Sequence, residues 1–381
     1  MGLSGRAIDG QVPAAIARPD SLAALAAIVR DAAATGTELV AWGGGTRIGV
    51  GDPPLGYRLA VELGGLCGVV AHEPGDLVAI VRAGTTLAAL AAALAPSGQR
   101  WPVEVGDPEH ATVGGVLAGA AFGPSRLAAF HPRDWVIGVT AVLGDGSIAK
   151  AGGRVVKNVS GYDLTKLYSG SHGTLAIIAE VALKLTAAPA ASRTLVAAVP
   201  DLATGCARAE ALLAAGLPVD ALAVHRDGRG TRIIARTAGV PAAVDRIAGI
   251  LAERLGAVEA EPAPWPALAA RPLRTAFTAR LVSPLPLPDR LGGEVLAYPG
   301  TGTAYLLEAP GAEALRALRA TLEGHGGALV IERADPALRA AAGGAWGRAT
   351  LPLAIAAALK ARFDPQRILA PGRMPGCGGP S

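Results

Sequence analysis

The stretch from Lys157 to Leu175 reads KNVSGYDLTKLYSGSHGTL and is the densest run of chemically distinctive residues in the chain. Lys157, Asn158 and Tyr162 set a cation, an amide and an amphipathic ring beside a glycine. A second glycine-rich turn, GSHGTL, then leads into an apolar pattern over Leu175–Leu185 that is typical of a strand. An ordinary turn explains this combination poorly, so the stretch is a candidate ligand site.

Upstream, residues 42–47 read WGGGTR and follow a short strand pattern, Glu38–Trp42. Three consecutive glycines can point successive backbone N–H groups into one concavity and let a phosphate approach where a Cβ would clash. The hydroxyl of Thr46 adds a donor. An ordinary glycine turn explains the same letters equally well.

Residues 106–115 read GDPEHATVGG and run into a helix pattern of small residues over Thr112–Ala121. A glycine pair at the start of a helix lets a pyrophosphate lie against backbone at the helix N-terminus. Close helix packing on Gly and Ala is the alternative, and His110 is expected to be a hydrogen-bonded loop residue. The chain contains neither G-x-G-x-x-G nor a Walker A sequence, so a nicotinamide Rossmann or P-loop site is not favoured.

Composition bounds the remaining possibilities. The chain has 381 residues, 51% of them hydrophobic and 17% charged. This predicts two domains, or one large domain with an insertion, and excludes a wholly disordered chain. A net charge of +4, dispersed along the sequence, argues against nucleic-acid binding. The most apolar runs are far shorter than a membrane span needs. Cys67, Cys206 and Cys377 lack CxxC spacing, so we expect no zinc or iron–sulfur site held by this chain alone.

The chain divides into two regions with different patterns of strands and helices. Before the Pro/Ala stretch at Ala187–Ala191, strand patterns alternate with helix patterns, the first helix beginning at Asp20 or Ser21 and ending at Gly36. After it, strands paired with single helices predict an antiparallel sheet with helices on one face. Pro262–Pro288 is interpreted as a proline-rich separator, and Leu351–Phe363 as a last helix.

The order of these elements resembles the FAD-binding domain of the vanillyl-alcohol oxidase or PCMH-type flavoproteins. The matching pattern is a helix, GGGT, GD-x-x-x-ATVGG, RD, KN-x-x-GYDL and GS-x-GTL. More narrowly, the chain resembles the FAD-binding subunits of bacterial glycolate oxidases. Gly119–Arg126 (GAAFGPSR), Lys157–Leu164 and the terminal Phe363–Arg373 segment carry that closer resemblance.

The resemblance implies an α+β fold in three parts. A PCMH-type FAD-binding domain of two α+β subdomains is expected over residues 1–188. An α+β cap domain of antiparallel sheet and helices is expected over 189–340, and a C-terminal helical segment over 341–381 that returns to the first domain. FAD would lie between the first domain and the cap.

The resemblance also implies a set of FAD contacts. Thr46 and Arg47 stand where some relatives carry a histidine that tethers FAD, so the flavin is expected to be bound non-covalently. The implied cofactor-binding residues are Gly43, Gly44, Gly45, Thr46, Arg47, Gly106, Asp107, Thr112, Gly114, Gly115, Lys157, Asn158, Tyr162, Gly173, Thr174 and Ile177.

The activity implied is oxidation of glycolate, or another small 2-hydroxy acid, to the 2-oxo acid. The implied partners are a homologous FAD-containing catalytic subunit and an iron–sulfur subunit that takes the electrons onward. We expect no nucleic-acid partner, no metal, and a cytoplasmic location with at most peripheral contact with the inner face of the cell membrane. The N-terminus lacks the apolar run of a signal peptide.

One departure from the family leaves alternatives open. Related dehydrogenases carry an H-x-G-D-G-N-like motif in the cap, whereas this cap region has only His225 and His325. Oxidising a hydroxy acid needs a base and a cation for the carboxylate, and no convincing pair is visible, so the catalytic residues stay unidentified. A self-sufficient FAD-dependent 2-hydroxy-acid dehydrogenase is one alternative. A flavin-free scaffold subunit is the other, and the intact glycines Gly43–Gly45 argue against it.

Overall fold

The computed structural model describes residues 2–153, 163–283, 291–347 and 352–375. The strands are β1 (Ala15–Ala17), β2 (Leu39–Trp42), β3 (Leu59–Glu62), β4 (Val69–Glu73), β5 (Val78–Arg82), β6 (Gln99–Arg100), β7 (Val136–Leu143), β8 (Ile148–Gly152), β9 (Ala176–Lys184), β10 (Thr186–Ala187), β11 (Ala191–Val199), β12 (Ala221–Asp227), β13 (Gly230–Gly239), β14 (Val258–Glu259), β15 (Thr278–Val282), β16 (Val295–Tyr298), β17 (Thr303–Leu306) and β18 (Ala328–Arg333). The α-helices are α1 (Leu22–Thr35), α2 (Leu87–Leu94), α3 (Val113–Ala118), α4 (Arg126–Ala129), α5 (Leu164–Tyr168), α6 (Leu202–Ala214), α7 (Pro241–Leu255), α8 (Trp265–Arg274), α9 (Ala312–Gly324), α10 (Pro336–Ala341) and α11 (Leu353–Phe363).

The N-terminal half contains two main sheets joined by α1. One is a parallel sheet in the order β1-β3-β2, and the other is an antiparallel sheet in the order β4-β5-β9-β7-β8. As predicted, the hydroxyl of Ser21 caps α1 by accepting from Ala24 N, and Gly36 ends the helix in the left-handed conformation. Leu25 and Val29 of α1 are fully buried in one apolar cluster with both sheets.

The central strand β9 is buried on both faces. Ile177 and Ala179 face the cluster around α1, whereas Ala176 and Ile178 face the cluster around α2 and α3. A strand covered on both faces is expected to read as a continuous apolar run, and AIIAEVALK does so over most of its length. Strand β9 therefore lies in the middle of the molecule. The GSHG turn that precedes it lies there too.

The second half is one antiparallel sheet of eight strands, in the order β14-β11-β13-β12-β16-β17-β15-β18. Leu222 and Val224 face a cluster with α6, α7 and α9. Ala221 and Ala223 face the opposite side, where they join Trp265 and Leu268 of α8. The prediction of helices on one face only was therefore wrong.

The same helix corrects the interpretation of Pro262–Pro288 as a separator. This range contains α8 and β15. Pro266 lies in the first turn of α8, where a missing N–H has no intrahelical partner to lose. Buried Trp265 and Leu268 then hold the helix against the sheet.

The C-terminal segment contacts the N-terminal half. Lys360 of α11 is fully buried, and its Nζ donates to Thr174 O at 2.8 Å, to Leu369 O at 2.7 Å and to Asp364 Oδ2 at 2.5 Å. Leu369 forms a parallel β-bridge with Leu39, the first residue of β2. No helix in the described ranges is long and apolar enough to cross a lipid bilayer.

Candidate active site

A cleft forms where β2, α3 and β9 meet, with about 790 Å³ of empty space. Three segments supply most of its surface: the loop that follows β2, the first turn of α3, and the GSHG turn before β9. We call it the glycine cleft. Of the predicted cofactor residues, it is lined by Gly43, Gly44, Gly45, Thr46, Arg47, Thr112, Gly114, Gly115, Gly173 and Ile177.

The loop that follows β2 presents unused backbone donors. The N–H groups of residues 43–47 make no hydrogen bond to any described residue. Gly44 is exposed and the other four residues are half-buried, so a ligand can reach these donors. A row of free N–H groups in a glycine turn is a binding surface for an anion. Gly45 has a φ of 73°, which turns the chain within this row.

The first turn of α3 looks similar in sequence but its donors are already used. Val113 N donates to Thr85 O at 2.9 Å and Gly114 N to Ala83 O at 2.8 Å. The hydroxyl of Thr112 caps the helix by accepting from Gly115 N at 3.3 Å. The turn therefore forms a wall of the cleft and offers it few backbone donors.

The two segments are glycine-rich partly because they touch each other. A Cβ on Gly44 would lie 1.6 Å from His110 O, and one on Gly43 would lie 2.2 Å from Thr112 Oγ1. A Cβ on Gly114 would lie 2.6 Å from the Ala83 Cβ. These glycines are therefore required by packing, whether or not a ligand binds.

Three predicted cofactor residues lie elsewhere. Gly106 lines a neighbouring cavity and packs against α8, where a Cβ would lie 2.4 Å from Ala269 O. Asp107 accepts a 2.8 Å hydrogen bond from exposed His110. Thr174 is buried in the wall, since its N–H and hydroxyl donate to Ser171 O and its own carbonyl accepts from Lys360.

The predicted contacts Lys157, Asn158 and Tyr162 lie outside the described residues.

Sequence reasoning missed two side chains that line the glycine cleft, His172 and Arg373. Arg373 is 3% exposed and donates to the carbonyls of Ile48 and Val50, so it holds the loop from below. The ring of His172 meets Trp346 edge-on at 5.2 Å. Both lie in motifs that carried the family resemblance, LAPGR and GSHGTL, so the signal was present.

The charges around His172 keep its imidazole neutral. Burial, together with the positive charges of Arg373 and Arg47, lowers the pKa of His172 to about 3. Burial also lowers the pKa of Arg373 to about 10, which leaves its guanidinium charged at neutral pH. The glycine cleft is thus electropositive and contains a neutral hydrogen-bonding ring.

A second cavity, the inner pocket, continues from the glycine cleft toward the eight-stranded sheet, with about 440 Å³ of empty space. Thr46, Arg47 and Gly115 line both cavities. The far wall comes from α8, β16 and β17, with Ala269, Tyr298 and Tyr305. A ligand in the glycine cleft could therefore extend into a chamber between the two halves of the chain.

An arginine cluster lies beside this chamber, and of its arginines Arg47 lines the chamber itself. Arg47 and Arg280 share one buried carboxylate, Glu332, each at 2.7 Å. The guanidinium carbons of Arg126 and Arg280 lie 4.0 and 5.8 Å from the ring centre of Phe122, which lines the inner pocket. Arg126 has no carboxylate partner among the described residues and donates to Thr303 Oγ1 at 3.3 Å.

The cluster therefore carries more positive charge than Glu332 neutralises. Burial and repulsion from Arg280 lower the pKa of Arg126. Burial and the nearby arginines also lower the pKa of His131 to about 4. The sequence disclosed no cation suited to a substrate carboxylate, whereas the structure brings Arg126 and Arg280 together.

A base is not evident at the same place. Burial raises the pKa of Tyr305 and raises that of Tyr298 well above its ordinary value. The cap histidines lie elsewhere: His225 contacts Glu294 at 3.0 Å and His325 contacts Thr321 O at 2.8 Å. In the described residues, no group of three or more His, Cys, Asp or Glu side chains could hold a metal ion.

Comparison with known families identifies the cofactor. Residues 13–152 match the family model for an FAD-binding domain. They form a PCMH-type FAD-binding domain. Its cofactor is FAD, and the glycine cleft fits that cofactor because it has unpaired backbone donors beside two arginines and adjoins an aromatic-lined chamber.

Curated relatives match about half of the chain. The chain is 38% identical over 173 residues to glycolate oxidase subunit GlcE of Escherichia coli, covering 44% of this chain and 47% of the relative. It is 33% identical over 189 residues to D-2-hydroxyglutarate dehydrogenase of Xanthomonas citri, covering 50% and 40%. It is 34% identical over 170 residues to D-lactate dehydrogenase of Archaeoglobus fulgidus, covering 45% and 38%. The chain thus spans less than half the length of each of these relatives.

The whole fold also has a solved counterpart. An alkyldihydroxyacetonephosphate synthase aligns over 96% of this chain and 78% of its own, with a TM-score of 0.71 and 15% identity. At that identity the likeness concerns the fold alone. Together with the FAD-binding domain, it confirms the predicted α+β class.

Proposed function

We propose that this chain is the FAD-binding subunit of an oxidoreductase complex that oxidises glycolate to glyoxylate and passes the electrons to an iron–sulfur partner. The observation that carries the proposal is the row of unpaired N–H groups at residues 43–47, opening into a chamber with excess positive charge. The relatives named glycolate oxidase subunit, D-lactate dehydrogenase and D-2-hydroxyglutarate dehydrogenase support a small 2-hydroxy acid as substrate.

We assign distinct roles to the residues of the glycine cleft. The amides of residues 43–47 would donate to the pyrophosphate of FAD, with Arg47 and Arg373 supplying compensating charge. Gly114, Gly115 and Gly173 would allow the cofactor to lie close to backbone. FAD held by these residues would supply the redox chemistry, as acceptor of a hydride equivalent from the carbon that carries the substrate hydroxyl. Without a histidine at position 46 or 47, the flavin would be dissociable.

The arginine pair would attract the substrate carboxylate. Arg126 lacks a carboxylate partner in the described ranges, and Arg280 shares Glu332 with Arg47. A bound carboxylate would offset the excess positive charge of the arginine cluster. It would also accept charge-assisted hydrogen bonds, which are stronger than neutral ones. This supports an acidic substrate.

The side chains of the inner pocket explain why a partner would be required. Its titratable groups, within the described part of the chain, are Arg47, Tyr298 and Tyr305, and all three keep their protons at neutral pH. Removing the hydroxyl proton requires a base whose pKa lies near the working pH. We propose that the homologous flavin subunit supplies it. The complex would operate in the cytoplasm, with at most peripheral membrane contact.

An anaerobic visible spectrum of the chain purified alone, before and after glycolate is added, tests this function. A flavin band that persists with glycolate, and bleaches once the partner subunits are added, is the expected result. A chain that shows no flavin band after supplementation with FAD would overturn the proposal and leave the flavin-free scaffold.

The arginine pair favours a second candidate, a self-sufficient 2-hydroxy-acid dehydrogenase, which predicts that glycolate alone bleaches the band. In either case, Arg126→Gln should raise the glycolate concentration needed for half-maximal flavin reduction at least about tenfold, the value of one charge-assisted hydrogen bond. Arg246 is exposed on α7 and belongs to neither the chamber nor the arginine cluster, so Arg246→Gln is the matched control. Equal behaviour of the two variants would remove Arg126 from substrate binding.

A further inference from the structure

A third cavity lies on the other side of the inner pocket, with about 1310 Å³ of empty space. It is lined by α2 and the extended segment 100–108 on one side and by β11, β13 and α8 on the other, and its empty space includes open solvent. We call it the outer cavity. It belongs to neither the glycine cleft nor the inner pocket, although Val105 and Ala269 line both it and the inner pocket.

Its walls are apolar and aromatic. Trp101 and Trp265 both line it, and they are 7% and 4% exposed. Leu87, Leu90 and Val103 complete the apolar surface. Large aromatic side chains around a mainly apolar cavity are typical of sites for small organic molecules, and two indole rings favour a flat one.

The polar groups of the outer cavity are electrically balanced. Two arginines, Arg100 and Arg236, line it together with two acids, Glu104 and Asp107. Arg236 is held by Glu104 at 3.0 Å and by Asp220 at 2.7 Å, and it stacks over the Trp265 ring at 5.4 Å. A cavity without excess charge favours a neutral ligand, in contrast to the inner pocket.

Two N–H donors on these walls lack acceptors. Trp265 Nε1 donates to Thr194 Oγ1 at 2.9 Å. By contrast, Trp101 Nε1 and Arg100 Nε are buried atoms with no hydrogen-bond partner in the described part of the chain. An unpaired buried donor costs about 1–3 kcal/mol, so a ligand oxygen that reached either group would be stabilised.

We propose that the outer cavity binds a neutral, planar aromatic molecule that carries a carbonyl oxygen. The rings of Trp101 and Trp265 hold its plane, and Trp101 Nε1 or Arg100 Nε donates to its oxygen. Such a ligand would lie close to the inner pocket, because Val105 and Ala269 line both cavities. Gly106 has no side chain and lets the segment that contains Val105 pack directly on α8.

Equilibrium dialysis of the FAD-loaded full chain against three probes of similar shape tests the proposal. These are 9-fluorenone, which is neutral with a carbonyl, fluorene, which lacks the oxygen, and fluorene-2-carboxylate, which is charged. We expect saturable binding of one fluorenone per chain, with weaker binding of both other probes. Failure of fluorenone to saturate, or tighter binding of the carboxylate, would overturn the proposal.

Two variants locate the binding. Ala91 is exposed on α2 and lines the mouth of the outer cavity, so Ala91→Trp should fill the cavity without disturbing a core and should weaken fluorenone binding at least about tenfold. Ala93→Trp on the same helix is the control, since exposed Ala93 does not line the cavity. Equal binding by the two variants would contradict the assignment.

Trp101→Phe tests the hydrogen bond separately. It keeps a smaller ring and removes the donor, so it should weaken fluorenone binding about tenfold more than it weakens fluorene binding, the value of one hydrogen bond to a buried donor. Equal loss for both probes would show that only ring packing was removed, and would overturn the assignment of the donor. These readouts involve no oxidation of a 2-hydroxy acid, so their failure is distinct from failure of the proposed function.

Discussion

The loop at residues 43–47 and the first turn of α3 are both rich in glycine, yet they differ in what their backbone does. In the first loop, the N–H groups have no partner among the described residues. In the α3 turn, Val113, Gly114 and Gly115 all donate within the protein. Glycine content alone therefore does not identify a phosphate site, because the two segments are also shaped by packing against each other.

This difference changes the argument against a flavin-free scaffold. The sequence suggested that Gly43–Gly45 would not be kept without a phosphate to bind. Contacts with His110 and Thr112 provide another reason to keep Gly43 and Gly44. The argument for FAD now depends on the unpaired donors of the loop and on the match of residues 13–152 to an FAD-binding domain.

The largest expected effect comes from Gly44→Ala. The new Cβ would lie 1.6 Å from His110 O, a backbone atom that cannot move alone. We expect the free energy of unfolding to fall by about 3 kcal/mol or more in the FAD-free protein, the upper range for overpacking. Urea denaturation measures it.

Gly173→Ala is the matched control for Gly44→Ala. Gly173 lines the same cleft with a φ of 71° and has no heavy atom within 4 Å of an added Cβ. It should cost only the strain of a left-handed alanine, about 1 kcal/mol. If both variants lost the same stability, packing would not be the reason for Gly44.

A negative charge in the loop at residues 43–47 should weaken FAD binding without changing the stability of the fold. Thr46→Glu places a carboxylate beside the unpaired amides of residues 43–47, where it would repel the pyrophosphate. We expect FAD affinity to fall about a hundredfold, since like charges brought together cost several kcal/mol. Titration of the FAD-free protein followed by flavin fluorescence measures the change.

Thr46→Gln has nearly the same shape as Thr46→Glu without the charge and should bind FAD far more tightly than the acid does. Comparable affinities for the two variants would show that the anion does not lie against this loop.

The elements that were predicted correctly are those whose signals are local. The hydroxyl of Ser21 caps α1 within three residues of the amide that it accepts from, so the sequence alone discloses the start of this helix. Helix α8 was missed because its prolines suggested a loop, and only burial of Trp265 against the eight-stranded sheet stabilises the helix.

The arginine cluster was missed for a related reason. Arg47, Arg126, Arg280 and Glu332 come from four distant segments, and only the packing of the two halves of the chain brings them together. The sequence drew attention to GAAFGPSR as a family motif but not to the charge at its end. Long-range charge balance is a tertiary property, so no local pattern could disclose the excess.

A smaller effect tests the α3 turn. Thr112→Val removes the hydroxyl that accepts from Gly115 N, and should lower the free energy of unfolding by about 1 kcal/mol, as loss of a helix cap does. Thr86→Val removes the equivalent cap of α2 away from the cleft and is its control. Because the α3 amides serve the fold, neither variant should weaken FAD binding as Thr46→Glu does. Weaker FAD binding by Thr112→Val, but not by Thr86→Val, would contradict the conclusion that the α3 amides serve the fold and the loop at residues 43–47 serves the cofactor.

The smallest expected effect concerns acid, and it probes the positive charge that the first loop shares with Arg373. The folded protein holds the pKa of His172 at about 3, against 6.5 for an ordinary histidine, because of burial and the charges of Arg373 and Arg47. Between these values the unfolded chain binds a proton that the folded chain does not, so this histidine lowers stability as pH falls below 6.5. His131, with a pKa of about 4, acts in the same direction.

The FAD-free His172→Gln variant should therefore lose less stability than the unmodified protein between pH 7 and pH 5, measured as urea midpoints. An equal loss in both proteins would mean that burial and the nearby arginines do not lower the pKa of His172 in the folded protein.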